Sequence, residues 1–348
     1  MFYCFNGLTV LQESRNIASQ WESYMIELKG IHKTFKVSRR NAGLKEAVKS
    51  LFKKEYELIH ALNDVTFTIN DGEMVGYIGP NGAGKSSTIK VMSGILTPDS
   101  GECLINGRVP WKERIRHVSD IGVVFGQRSQ LWWDVPVIDS FELLQDIYRV
   151  PDKVFKNNVA ELSEMLELDL LLRTPARQLS LGQRMRCEIA ASLLHQPKIL
   201  FLDEPTIGLD AVSKIAVRDF IKKINAERKT TVLLTTHDMQ DIEALAERII
   251  LIGKGRILLD GSIGELKKRN SSIRKLTVEY SGGDFSLCEG ARFLEKISGH
   301  AVIAADTQLV SVSEVITFLS KQVEVLDISV SGSTAEEMVV SLYKEFSI

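Results

Sequence analysis

Short, almost wholly apolar runs recur along the chain, and each is followed by residues at helical spacing. Met74-Val75-Gly76-Tyr77-Ile78, Ile121-Gly122-Val123-Val124-Phe125, Lys198-Ile199-Leu200-Phe201-Leu202 and Thr231 to Thr236 read as buried strands. Ile26-Glu27-Leu28 alternates as a first strand does. Ala61 to Ile69 alternates like an edge strand and closes in the turn Asn70-Asp71-Gly72. Asn106-Gly107 predicts a second hairpin. Between about 137 and 195 the period becomes helical: Val137, Phe141, Leu144, Ile147 and Tyr148 share one face, and Val159, Leu162 and Leu166 line a second helix. Strands apolar on both faces and alternating with helices predict an α/β fold with a mostly parallel sheet, covered on both sides and carrying a helical insert.

This pattern runs from Met25 to about residue 270, with a helical subdomain at 128–195. Gly255 to Gly261 closes it, and Lys267-Lys268-Arg269-Asn270-Ser271-Ser272 reads as a linker. Residues 271–348 predict a small α+β accessory domain, with strands near Leu276–Tyr280, Ala301–Ala304 and Val323–Val330 and helices near 313–321 and 335–345. Met1 to Val10 is weakly apolar and lacks a basic flank and a clean cleavage site, and residues 1–24 are expected to lie outside the fold, as a disordered extension or a misassigned start before Met25. Lys36 to Leu58 is a basic insertion. Leu44, Val48, Leu51, Phe52 and Tyr56 stand there at helical spacing, a pattern that suits either a solvated helix lying on the domain or one in contact with anionic lipid heads or a membrane partner.

Composition narrows the classes. Hydrophobic residues at 44% and charged residues at 25% are those of a globular chain. A net charge of −2 speaks against nucleic acid as a general partner. Cys4, Cys103, Cys187 and Cys288 are too scattered for a zinc site or a disulfide framework. No apolar run approaches the roughly 20 residues that span a bilayer, so any membrane role acts through a partner.

The chemistry begins at Gly79-Pro80-Asn81-Gly82-Ala83-Gly84-Lys85-Ser86-Ser87, which fits G-x-x-x-x-G-K-[ST] between a strand and a helix. The glycines let successive backbone N–H groups converge on an anion, and the helix N-terminus favours the same charge. Lys85 is placed to reach the β- and γ-phosphates of a nucleoside triphosphate, and the Ser86 hydroxyl to hold Mg²⁺.

Further stretches follow in order: Gln127 after a strand, Leu179-Ser180-Leu181-Gly182-Gln183 opening a helix, Asp203-Glu204-Pro205-Thr206 ending a strand, Gly208-Leu209-Asp210, and Thr236-His237-Asp238. Together they resemble the ATP-binding subunit of ABC transporters, in the branch that feeds drug, lipid and polysaccharide exporters. The resemblance implies a P-loop NTPase cassette that hydrolyses ATP with Mg²⁺. It implies ATP contacts from Gly79, Asn81, Gly82, Ala83, Gly84, Lys85, Ser86 and Ser87. From a second, homologous or identical subunit it implies contacts by Ser180, Gly182, Gln183 and Asp210. Glu204 is implied as general base or water-positioner, His237 as the γ-phosphate switch, Gln127 as a catalytic residue that senses Mg²⁺ and the attacking water, and Ser86, Gln127 and Asp203 as the Mg²⁺ set. The adenine-stacking aromatic falls at Phe35, with Tyr56 the alternative that the basic insertion offers. One departure stands out: Leu181 occupies the place of the signature's first glycine. Trp132 and Trp133 lie where the family docks its membrane subunit, and either meet that partner or pack within the helical insert. The implied protein is cytoplasmic, peripheral on the inner face of the membrane, and works as a dimer on a separate permease. The competing class is a soluble ABC ATPase acting on ribosomes or nucleic acid. Its translation-factor members usually carry two cassettes, and its DNA-repair members insert a long coiled coil; neither feature is present here.

Overall fold

The computed structural model describes residues 25–38, 56–126, 128–265, 272–332 and 334–346. The expected N-terminal extension, most of the basic insertion, Gln127 and most of the linker lie outside the described residues.

β1 (Ile26–Ser38) and β2 (Tyr56–Ile69) pair antiparallel, with Phe35 opposite Ile59 and Ser38 opposite Tyr56. β2 starts before the alternating stretch at 61–69 because Tyr56 to His60 are all exposed and carry no in–out alternation to read. β3 (Met74–Ile78) leads through the glycine-rich loop into α1 (Lys85–Met92). β4 (Ser100–Ile105) joins the other side of β1, giving the order β2-β1-β4. The predicted hairpin at Asn106-Gly107 is therefore only a turn, closed by an isolated bridge between Ile105 and Arg108.

α2 (Arg114–Asp120) precedes β5 (Ile121–Phe125), and the insert follows as α3 (Val137–Tyr148), α4 (Asp152–Leu166) and α5 (Leu181–Leu193). β6 (Ile199–Asp203), α6 (Ala211–Arg228), β7 (Thr231–Thr236), α7 (Met239–Leu245), β8 (Arg248–Gly253) and β9 (Arg256–Ser262) complete the main unit. The central sheet has the order β5-β6-β7-β3-β8-β9, parallel except for the last pair. Alternate side chains of one strand enter different cores. Leu200 and Leu202 join the helical insert's cluster, whereas Ile199 and Phe201 join the cluster under β1 and α1. Burial on both faces explains the continuous apolar runs; each fully buried Leu, Ile or Phe contributes about 1.5–3 kcal/mol.

Beyond the linker, β10 (Ile273–Ser281), β11 (Ala291–Ile297), β12 (His300–Asp306) and β13 (Glu324–Gly332) form an antiparallel sheet ordered β11-β12-β10-β13. α8 (Val312–Ser320) seals its own small core through Val315 and Leu319. β11 had no signal in the pattern because five of its seven residues are exposed. The last helix, α9 (Ala335–Glu345), carries Ala335, Met338 and Val339 into the same buried cluster as Leu251 and Ile263 of the main unit.

One buried group sets a pH dependence. The His195 ring stacks on Tyr148 with centroids 3.8 Å apart, and its Nε2 lies 3.0 Å from the Ile121 carbonyl oxygen. Nδ1 is enclosed without a partner. Burial lowers its pKa to about 4, against 6.5 for a free imidazole. The unfolded chain therefore binds the extra proton first. This stabilisation is complete above pH 6.5 and is lost as pH falls from there toward 4. Between pH 7 and pH 4 the loss should be roughly 2 kcal/mol for a ring still partly in contact with solvent. Urea unfolding across this range should show a shallower pH slope for His195→Phe than for the wild type; identical slopes would refute the assignment.

Candidate nucleotide-binding site

Because β3, β5, β6 and β7 are parallel, their carboxyl ends meet at one edge, the place where open α/β sheets bind ligands. The glycine-rich loop leaves β3 there. Gly84 has φ 113°, and a Cβ on it would come within 2.7 Å of the Ala61 carbonyl oxygen, so no other residue fits this turn. Lys85 is 6% exposed, and its Nζ donates to the carbonyl oxygens of Gly79 at 2.5 Å and Pro80 at 3.3 Å. Burial lowers the ammonium's pKa, and the nearby Glu204 and Asp203 carboxylates partly offset it.

The loop opens on a cavity of about 750 Å³. Asn81, Gly82, Ala83, Gly84, Lys85, Ser86 and Ser87 line one side, and Asp203, Glu204 and His237 the other. Thr235 on β7 organises both acids of β6. Its hydroxyl donates to Asp203 Oδ1 at 2.6 Å, and the Glu204 N–H donates to Thr235 at both the carbonyl (3.0 Å) and the hydroxyl (3.1 Å). Glu204 takes a left-handed backbone at φ 56°, a costly conformation for a side-chain-bearing residue and one that concentrates at functional sites. Its Oε1 stands 3.6 Å from His237 Nδ1.

Ser180, Gly182, Gln183 and Asp210 do not line this cavity. They form a separate group. Ser180 caps α5 in a reciprocal box with Gln183: the Gln183 N–H donates to Ser180 Oγ at 3.2 Å, and the Ser180 N–H to Gln183 Oε1 at 2.9 Å. Asp210 caps α6, accepting from the N–H and hydroxyl of Ser213 at 2.9 and 2.7 Å, and these bonds hold its carboxyl below the usual range. A Cβ on Gly182 would overlap the Ser213 hydroxyl, so glycine is needed for the two helix starts to meet. Leu181 reaches over to Gly208, whose left-handed backbone at φ 70° favours glycine.

Phe35 does not line the cavity, and neither does Tyr56; the wall beyond the phosphate loop is made by Ile59, His60 and Ala61. Phe35 is the register partner of the cavity-lining Ile59 on the neighbouring strand. His60 is fixed by a 3.0 Å contact between its Nδ1 and Thr34 Oγ1. Its only sequence signal is its place immediately before Ala61-Leu62. Arg128, also unforeseen, lines the cavity beside Gly126.

Trp132 and Trp133 are 52% and 50% exposed, so they are not part of the insert's core. Behind them, the Glu188 carboxylate of α5 accepts from the Ser129 hydroxyl and from the Gln130 N–H at 3.1 Å, clamping the strap between cavity and tryptophans. Burial raises the Glu188 pKa against these bonds.

A glycine-rich anion loop, a pair of strand-end acids and a histidine at one sheet edge define a P-loop nucleotide hydrolase. The comparisons place it further. The ABC transporter family profile matches residues 62–207. The linearmycin resistance ATP-binding protein LnrL of Bacillus subtilis is 32% identical over 228 residues, 65% of this chain and 73% of its own. YhcH of the same organism, named an uncharacterized ABC transporter ATP-binding protein, is 28% identical over 82% of this chain and 91% of its own. The ATP-binding cassette MJ0796, solved as a dimer in a post-hydrolysis state with ADP and Pi, superposes with a TM-score of 0.57 at 29% identity over 69% of this chain and 99% of its own. The chain belongs to the ABC transporter ATP-binding family: it is an ATP-binding subunit of a transporter and an ATPase.

Proposed function

We propose that this chain powers a separate integral-membrane permease, as an exporter's ATPase, by hydrolysing Mg-ATP between two cassettes. The observation that carries the reading is the convergence of Lys85, Asp203, Glu204 and His237 on one cavity, while Ser180 and Asp210 stand outside it. The phosphates lie on the loop's N–H groups and Lys85. Glu204 positions and deprotonates the attacking water. His237, 3.6 Å from Glu204, contacts the γ-phosphate. Mg²⁺ fits the donor set, since Ser86 and Asp203 offer hard oxygens in the same cavity. Among the described residues no cluster of His, Cys, Asp and Glu would hold a metal by itself, so the phosphates and water complete the shell. Bound there, Mg²⁺ neutralises charge on the β- and γ-oxygens.

The separate group at the starts of α5 and α6 serves the ATP of a second copy or a closely related cassette. Trp132 and Trp133 are the anchors for the permease. Among the described residues no helix is long and apolar enough to cross a membrane, which suits a subunit peripheral on the cytoplasmic face. Residues 271–348 are read as an accessory domain around the second sheet. Expressed in its own cell, the chain should pellet with membranes and leave them in detergent together with a multi-span protein lacking a P-loop. Pelleting with ribosomes would favour the soluble class instead.

His60 is the base-stacking residue of this site. Stacking is worth about 1–3 kcal/mol per base, so His60→Ala should weaken binding of a fluorescent ATP analogue about tenfold or more. Phe35→Ala should leave it within about twofold. The reverse ranking would restore Phe35 to the role.

A further inference from the structure

Glu204 and His237 sit on the ends of different strands, and His237 is largely exposed, so something must hold the two turns in register. Thr235 holds the Asp203 carboxylate and the Glu204 N–H but has no bond to His237 or its neighbours in the turn. On the other face of β7 lies Asp241, in the first turn of α7 and 1% exposed. One of its oxygens, Oδ2, accepts two hydroxyls. The first is Thr206, which follows Glu204 by two residues. The second, at 3.3 Å, is Thr236, which directly precedes His237. The Thr236 hydroxyl also accepts the Asp238 N–H at 3.0 Å, so His237 is bracketed on both sides by this one cluster. The other oxygen, Oδ1, accepts from Arg218 Nε of α6 at 2.6 Å. Asp238, held by Lys214 at 2.6 Å, caps α7 through the Gln240 N–H at 3.0 Å and joins both helices.

We propose that Asp241 is a positioning residue for hydrolysis, setting the distance between the Glu204 turn and His237 through the hydroxyls of Thr206 and Thr236. Three features distinguish it from an ordinary buried ion pair. Its two hydroxyl donors come from the two catalytic turns and not from the packing core. Both donors are themselves buried, at 3% and 2% exposure. And Arg218 neutralises the charge from behind, leaving Oδ2 to the threonines. A buried carboxylate held by a cation and two hydroxyls has one low-energy arrangement, and a shift of about an ångström in a reacting group costs on the order of a hundredfold in rate. Asp241 touches neither phosphate loop nor Lys85, so it acts on the chemical step and not on ATP affinity.

The inference rests on the roles assigned to Glu204 and His237, and the experiment separates the two. The variant of choice is Thr206→Val/Thr236→Val, which keeps shape and removes only the two hydroxyls, because Asp241→Ala takes from the half-buried Arg218 its bonded carboxylate and invites unfolding. In the purified full-length protein, the double variant should lose about tenfold or more in kcat while its affinity for a fluorescent ATP analogue stays within about threefold. Asp241→Asn keeps an acceptor for Arg218 and turns an NH₂ toward the hydroxyls, so its kcat should fall between the wild type and the double variant. A folded double variant with kcat within tenfold of the wild type overturns the proposal, as does a parallel loss of ATP affinity; a lowered melting temperature with kcat intact would show a purely structural role. Glu204→Gln is assayed alongside. If it too turns over normally, the assignment of Glu204 is what fails; if it is dead while the threonine variant is active, only the role of Asp241 fails.

Discussion

Replacing Lys85 by alanine is expected to reduce ATP turnover by about a hundredfold to a thousandfold, the scale of removing one preorganised charge contact, roughly 2.7–4 kcal/mol. The ammonium is enclosed between the loop's own carbonyls, Gly79 at 2.5 Å and Pro80 at 3.3 Å, with Asp203 and Glu204 close enough to oppose the loss of its charge. Burial alone would favour the neutral amine, so phosphate oxygens arriving at the loop would add counter-charge that further favours the ammonium. Lys85→Arg should not rescue it, because a planar guanidinium cannot sit in a space shaped around a point charge that is 6% exposed. The fold should tolerate the alanine, whose cost is one donor to two carbonyls that can turn to water. Thermal unfolding with and without Mg-ATP separates the effects: the melting temperature without nucleotide should change little, and the increase on adding ATP should vanish. Turnover near the wild-type rate would remove the phosphate-loop assignment.

What the amino-acid pattern revealed, and what it concealed, follows from burial. β6 and β7 are apolar on both faces, so Ile199–Asp203 and Thr231–Thr236 were legible nearly to the residue. Tyr56 to His60 and β11 are exposed strands whose order comes from backbone pairing, which leaves no trace in hydrophobicity. The same cause hid His60. Its strand looked like part of an insertion, and a histidine next to an alternating run carries no signal until the register Thr34↔His60 brings it to the cavity. The phosphate loop was readable because its function demands residue types that a packing argument would not choose. The threonines around Asp241 were invisible for the opposite reason: Thr is ordinary in a strand, and only the approach of α7 gives Thr206 and Thr236 a common partner. Gly182 looked like a phosphate-binding glycine. The structure shows a demand of another kind, contact between the starts of α5 and α6, which by itself calls for glycine.

Glu204→Gln should slow hydrolysis by about a hundredfold to ten-thousandfold, the contribution of a positioned general base, while leaving ATP bound. Glutamine keeps the shape and the left-handed backbone at φ 56° but cannot take the water's proton. If two copies grip the ATP, stalled hydrolysis leaves it as the adhesive between them, and the variant should sediment as a dimer with Mg-ATP and as a monomer without it. The groups that would close on the second ATP are already arranged. The Ser180 hydroxyl accepts the Gln183 N–H at 3.2 Å and so keeps its own proton to donate outward. It does so at the N-terminus of α5, a helix of 13 residues whose dipole favours an anion. Adding Ser180→Ala confounds two losses, since it removes that donor and also a cap worth about 1 kcal/mol. Ser180→Asp separates them, for an aspartate still caps the helix but sets a carboxylate against the phosphate. In the Glu204→Gln background it should keep the melting temperature and abolish the ATP-dependent dimer, whereas Ser180→Ala should only weaken it. Sedimentation velocity at saturating Mg-ATP decides the matter. A Glu204→Gln protein that stays monomeric at high concentration would mean that the group at Ser180 does not complete the site of a second copy, and would place its partner on another chain.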